Sequence, residues 1–359
     1  MSGSIGSVGG NYSTLAEILI AGSTNSRNQL TTLEEQSASG YVAQTYGGLG
    51  AASSSIFSLS PQINQIKSYQ SNINSATANM GVTQTALTQI ASIAQTFYTD
   101  LSNVNNTSGD QITSIAANAK QALSQVASLL DTTNGGEYVF SGQDSANPAV
   151  PNPNAITSSG MFTQISTAVG NLSSLGSAGV ISAALTAAQS DSSGTTIFST
   201  YLSQTGQTSP SSVQVGDNQW VQSGVLANSN TLVTSTGSNT TGSYMRDIIM
   251  SLSVLGSLSS SQATDPGLSG LVTGLHGTLS SAISAISSEQ GVLGDSQTNL
   301  QTLSTNYTNL STTLSTQLGN VEDVNMALVS TQLQSVQTQL TASYQLISNI
   351  KSLSLTAYL

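Results

Sequence analysis

Two stretches near opposite ends of this 359-residue chain carry apolar residues at alternating spacings of three and four. The first runs Leu59, Ile63, Ile66, Tyr69, Ile73, Ala76 and Met80, then Leu87, Ile90, Ala94, Phe97, Leu101 and Val104. The second runs Leu300, Leu303, Tyr307, Leu310, Leu314 and Leu318, then Met326, Val329, Leu333, Val336, Leu340, Tyr344, Ile347, Ile350 and Leu353. That spacing keeps one apolar stripe on one side of a helix. A stripe alone leaves its apolar face in water, so the two ends are expected to pair with each other and with further copies of the chain. The residues expected to carry subunit packing are Leu59, Ile63, Ile66 and Ile73 from the first stripe. From the second they are Leu300, Leu303, Tyr307, Leu310, Leu314, Val329, Leu333, Val336, Leu340, Tyr344, Ile347 and Ile350.

The polar faces of these helices are unusual. Only 6% of residues are charged, against roughly 25% in ordinary soluble domains. Ser, Thr, Asn and Gln replace Lys and Glu, and such a face costs less to dehydrate than a charged one. This suits a chain packed among many neighbours. The basic residues Arg27, Lys67, Lys120, Arg246 and Lys351 are scattered, and the formal net charge is −11. No cluster of them can neutralise phosphates, which argues against nucleic-acid binding.

Signals for chemistry are weak. The absence of cysteine removes disulfides, thiolate chemistry and cysteine zinc sites. His276 is the one histidine, too few for a usual zinc site or a triad. The adjacent acids Glu34-Glu35 and Glu322-Asp323 do not face each other on a helix. Gly47-Gly48-Leu49-Gly50 lacks the lysine of a phosphate loop. No catalytic, cofactor-binding or metal site is expected, and no enzyme. Residues 1–11 lack the basic start and long apolar core of a secretory signal. No run of 18 apolar residues predicts a membrane span.

Along the chain, residues 1–12 are Gly/Ser-rich and read as a mobile start. Residues 13–39 read as a helix with Leu15, Ile18, Leu19, Leu30 and Leu33, stopped at Gly40. Tyr46 to Gly50 reads as a loop or turn. A long helix follows over Ser53–Val104, with Pro61 near its start where a missing N–H is tolerated. At 1.5 Å per residue it spans roughly 75 Å, suited to a rod. A polar break at 105–110 precedes a helix carrying Ile112, Ile115, Ala119, Leu123, Val126 and Leu130. The cluster Asp131 to Gly136 is a turn, and Glu137 to Gly142 reads as a strand.

Residues 143–225 hold Pro148, Pro151, Pro153 and Pro210 and show only patchy helical periodicity. Val213 to Asp217 alternates and turns, so that Trp220 to Gln222 pairs back. Ser229 to Ser243 reads as a polar linker. Helices resume from Met245 with Ile248, Ile249, Leu252 and Leu255, then over 271–318 with bends at Gly291 and Gly294. The last helix is expected over 323–355, after a joint at Leu318-Gly319-Asn320, with Glu322 and Asp323 favourable near its N-terminus.

The fold class is therefore mainly α, with paired long N- and C-terminal helices forming a coiled-coil rod and a small β-rich or mixed inserted domain. Residues 1–45 with 320–359 form a terminal helical domain, 46–142 with 230–319 a helical rod, and 143–229 a variable outer domain.

This layout resembles the bacterial flagellin family. Leu129 to Gly142, reading Leu-Leu-Asp-Thr-Thr-Asn-Gly-Gly-Glu-Tyr-Val-Phe-Ser-Gly, is similar to the family's helix-to-hairpin segment, above all in its hook–filament junction members. Gln290 to Leu318 followed by Val321-Glu322-Asp323-Val324-Asn325-Met326-Ala327 is similar to the C-terminal helix, joint and acidic entry. The ending Leu353 to Leu359 looks more like a junction protein than a filament flagellin. The stretch Ser39 to Gly50 keeps the small residues of the family's turn and lacks its acids. The resemblance covers roughly 13–142 and 244–359. It implies a structural subunit of the bacterial flagellum, secreted and extracellular, most like the hook-associated junction protein, with filament flagellin as the alternative. It also implies as partners copies of the chain, flagellin and hook-associated proteins, and the flagellar export apparatus with an export chaperone. A non-flagellar surface filament protein or adhesin would share the composition, but this chain shows no internal repeat.

Overall fold

The computed structural model describes residues 8–104, 108–204, 208–229 and 233–352. The expectations placed on 1–7, 105–107, 230–232 and 353–359 lie outside the described residues. Backbone contacts group the chain into two units, residues 1–66 with 308–359 and residues 67–307.

The first unit opens with α1 (Val8–Ser39). Gly40 stops it as expected: its N–H donates to the Gln36 carbonyl at 2.8 Å, and its φ of 76° continues the chain in the left-handed region. Tyr46–Ala52 is a 3₁₀ turn. Its small residues allow the tight winding, which kinks at Gly50 with φ 56°.

From there α2 (Ser53–Val104) matches the sequence expectation at both ends. Pro61 lies deeper inside it than expected. Its missing N–H leaves the Phe57 carbonyl without a helix donor, at an exposed residue that water can serve.

The second unit holds the core. The α2 stripe from Ile73 to Val104 is buried there, with Met80, Leu87, Ile90 and Ala94 fully so. The helix α3 (Gly109–Leu130) starts at a capping box between Ser108 and Gln111. It buries Ile112, Ala119, Leu123, Val126 and Leu130. The short antiparallel strands β1 (Thr133–Asn134) and β2 (Glu137–Tyr138) follow. Gly135 and Gly136, at φ 60° and 91°, supply the two left-handed positions of the hairpin.

The strand is shorter than the sequence suggested, because the chain turns at Val139 and Phe140 directly after Tyr138, and Gly142 at φ 66° redirects the backbone beyond it. A Cβ there would stand 2.6 Å from the Ser209 carbonyl oxygen. Gly142→Ala combines a forbidden φ with a backbone clash. It is expected to lower unfolding free energy by about 2–4 kcal/mol, read as a fall in denaturant midpoint.

The inserted region is mixed, with more helix than strand. It contains α4 (Gly160–Gly170) and α5 (Leu172–Gln189), and an antiparallel hairpin of β3 (Ser212–Gly216) and β4 (Gln219–Gln222) that pairs as expected. The Tyr69 hydroxyl donates to the Asp217 carboxylate at 2.7 Å. The Asn72 amide donates to the Gln214 carbonyl at 2.8 Å, and the Tyr307 hydroxyl to that of Val215 at 2.7 Å.

Next comes α6 (Tyr244–Gly256), buried along its whole length. Then α7 (Gly267–Glu322) runs through Gly291 and Gly294 without interruption. Gly270 and Gly274 let α5 approach closely, since a Cβ at either would stand 2.5 Å from Ser177 Oγ or 2.3 Å from Ile181 Cδ1.

The joint lies later than expected. The helix passes Gly319 and Asn320, and Asp323 N–H still donates to the Gly319 carbonyl at 2.7 Å. Asn325 is the cap of α8 (Met326–Ser352): its side-chain oxygen accepts from the N–H groups of Ala327 and Leu328 at 3.1 and 3.2 Å. Glu322 therefore closes α7 instead of opening α8.

Hydroxyls on the long helices bond inward. Thr298, Thr302, Thr312 and Thr316 on α7, and Thr331 and Thr341 on α8, each donate to the carbonyl four residues earlier at 2.8–3.0 Å.

Candidate assembly surface

In the first unit α1 packs along α8. The buried seam is thin: Leu33, Val329 and Val336, flanked by Leu30, Val324 and Leu333. Arg27 lies over the Tyr344 ring, 5.7 Å from its centre. The turn after α1 is stitched to the α7–α8 joint by backbone bonds. Val42 N–H donates to the Glu322 carbonyl at 2.8 Å, and Val324 N–H to that of Gly40 at 2.9 Å. The Gln36 amide donates to the Val42 carbonyl at 2.8 Å.

The residues singled out for subunit packing fall into three groups. Ile73 and Leu300 are buried in the core of the second unit, with Leu303 and Tyr307 packed against it. Ile63, Ile66, Leu314, Val329 and Val336 are buried in the first unit, and Leu59, Leu333, Leu340 and Ile347 are half-buried there. Leu310 and Tyr344 are exposed at 45% and 42%. Ile350 belongs to α8, and its side chain lies outside the described residues.

Further apolar side chains add to this. Ile18, Ile20, Tyr41, Val42, Tyr46, Phe57, Met326, Leu328 and Leu346 are all exposed. Tyr46 and Phe57 sit ring to ring, 5.0 Å between centres. Nearly all the large exposed apolar side chains belong to the first unit; Leu175, Trp220 and Val292 are the exceptions among the described residues. Apolar exposure on this scale marks an interaction surface. The signal in the sequence is the set of apolar residues on α1 and α8 that fall outside the stripe, such as Ile20, Leu328 and Leu346.

The titratable groups with shifted protonation lie in the second unit and serve packing. Burial pushes up the carboxyl of Asp131, which accepts the Val150 N–H, and those of Asp247 and Glu289. His276 stacks on Tyr98, 3.8 Å between ring centres. Among the described residues no group of His, Asp and Glu is placed to hold a metal ion. No helix among the described residues is long and apolar enough to cross a membrane.

Paired terminal helices with a thin internal seam and many exposed apolar side chains define a helical subunit that leaves packing surface open on those helices. Residues 11–145 match the bacterial flagellin N-terminal helical region, and residues 277–359 match the bacterial flagellin C-terminal helical region. A comparison with curated proteins finds no match. The two regions together span more than half of the chain, which belongs to the bacterial flagellin family. It is a structural subunit of the bacterial flagellum, exported to the cell exterior, and self-assembles with copies of itself.

Proposed function

We propose that this subunit acts at the hook–filament junction as a hook-associated protein. The reading rests on Leu129 to Gly142, where α3 passes into the β1–β2 hairpin. Its sequence resembles the family's helix-to-hairpin segment, above all that of the junction members. Residues 1–45 with 320–359 pack as the inner tube, 46–142 with 230–319 form a helical rod, and 143–229 project outward. Val329, Leu333, Val336, Leu340 and their stripe mates carry the packing between helices and copies. Export runs through the flagellar apparatus with a chaperone covering the apolar termini until assembly, and flagellin and hook-associated proteins are the neighbours.

The test is deletion of the gene followed by electron microscopy and analysis of the medium. Hooks without filaments, with flagellin shed into the medium, are expected. Filaments that are merely shortened or changed in composition would make the chain a filament flagellin.

A further inference from the structure

The segment between the inserted region and α6 is a strap seated on two buried carboxyls. At one end, Val233 N–H donates to Glu289 Oε2 of α7 at 3.2 Å. Towards the other end, the Thr278 hydroxyl donates to the Asn239 carbonyl at 2.8 Å. Thr278 and Glu289 lie roughly three turns apart on one face of α7, so the strap runs along that face. Asp247 of α6 holds the middle. Its Oδ2 accepts from the Ser235 hydroxyl at 2.5 Å, and its Oδ1 accepts from the N–H and hydroxyl of Thr241 at 2.6 and 2.7 Å.

The two carboxyls are satisfied unequally. Both are fully buried. Every oxygen of Asp247 has a donor, whereas Glu289 Oε1 has no hydrogen-bond partner among the described residues. Among the described residues no cation is placed to compensate Glu289. From α6 it faces the Tyr244 phenol, itself pushed well up by burial and then by the Glu289 charge. On α2 the run from Gln70 to Phe97 contains no titratable side chain, and neither does the strap from Val233 to Ser243. The Arg246 guanidinium is committed to Asp191 and to the carbonyls of Ala188 and Asn228. A carboxylate buried with one bare oxygen and no counter-charge is unfavourable, and a neutral carboxyl is not.

We propose that residues 233–243 form a proton-gated strap, seated on α7 while Glu289 is protonated and released when it ionises. Burial lifts this carboxyl from 4.5 to about 7, against a lowering by the Val233 N–H. Below 4.5 both the seated and the opened chain hold the proton. Between 4.5 and about 7 the opened chain loses it first, so seating weakens as pH rises and levels off above. The opening equilibrium moves about tenfold for each pH unit across that window, roughly 300-fold at most.

The test is hydrogen exchange on the full-length monomer, corrected for intrinsic rate, across the neutral range. In the wild type, protection of Val233 and Ser235 is expected to fall at least about tenfold on going from mildly acid to mildly alkaline pH. Glu289→Gln keeps an acceptor for Val233 and cannot ionise, so its protection should stay level. A level wild type, or an equal fall in both, overturns the proposal. Should the variant not fold, infrared spectroscopy of wild-type protein with ¹³C-labelled glutamate decides. Glu289 is the one fully buried glutamate among the described residues. A protonated carbonyl band disappearing with a midpoint near neutrality supports the strap, and its absence in mildly acid solution overturns it.

Discussion

Val329→Asp is expected to abolish polymerisation while leaving residues 67–307 folded. Val329 is 2% exposed, the most deeply placed side chain of the α1–α8 seam, with Leu33 and Val336 at 8% beside it. A carboxylate there must be buried without a partner or pull the helices apart, a cost of several kcal/mol by general burial arguments. So thin a seam cannot absorb that. Sedimentation and electron microscopy of the purified variant should show monomer only, with the calorimetric transition of the larger unit retained. Normal polymer from this variant would show that α1 and α8 need not pair for assembly.

Arg246→Met should cause a large loss of stability within residues 67–307. The guanidinium is nearly buried and bonds the Asn228 carbonyl, the Ala188 carbonyl and the Asp191 carboxylate at 2.5–2.6 Å. Its plane also lies over Phe198 at 5.1 Å. Methionine fills the space and leaves two carbonyls without donors and Asp191 without its counter-ion. A loss of about 3 kcal/mol, or roughly 6–12 °C in melting temperature, is expected in scanning calorimetry. Arg246→Lys should recover little of it, because one ammonium cannot reproduce the planar fork.

Long-range order is legible in the sequence wherever large aliphatic residues mark a stripe. Ile63, Ile73, Leu87, Ile90 and Leu101 place α2 to the residue, and all are buried. The second inserted helix, α5, is hidden because the later part of its buried face is built from small residues. In α5, Ala184, Ala187 and Ala188 take the place of leucines, and Gly176 interrupts the period at φ 68°. The stretch from Val233 to Ser243 reads as a linker because its anchors, Ser235 and Thr241, are residue types shared by turns and seats alike. Its acceptors, Asp247 and Glu289, lie elsewhere in the chain. The joint falls a few residues beyond its expected place because Gly319 breaks helices by propensity, while Asn325 caps one by geometry. At the assembly surface the stripe identifies the seam. The exposed aromatic pair Tyr46 and Phe57 needs the 3₁₀ turn to be brought together.

The inward-bonded threonines of α7 and α8 bear on where such a polymer can work. Each hydroxyl proton is already engaged by its own helix, so a neighbouring copy can press against that face without stripping water from a bare donor. With 6% of residues charged, little of the cohesion between copies depends on ion pairs, and dissolved salt has little to screen. A fibre assembled from these surfaces is suited to hold as firmly in brine as in fresh water.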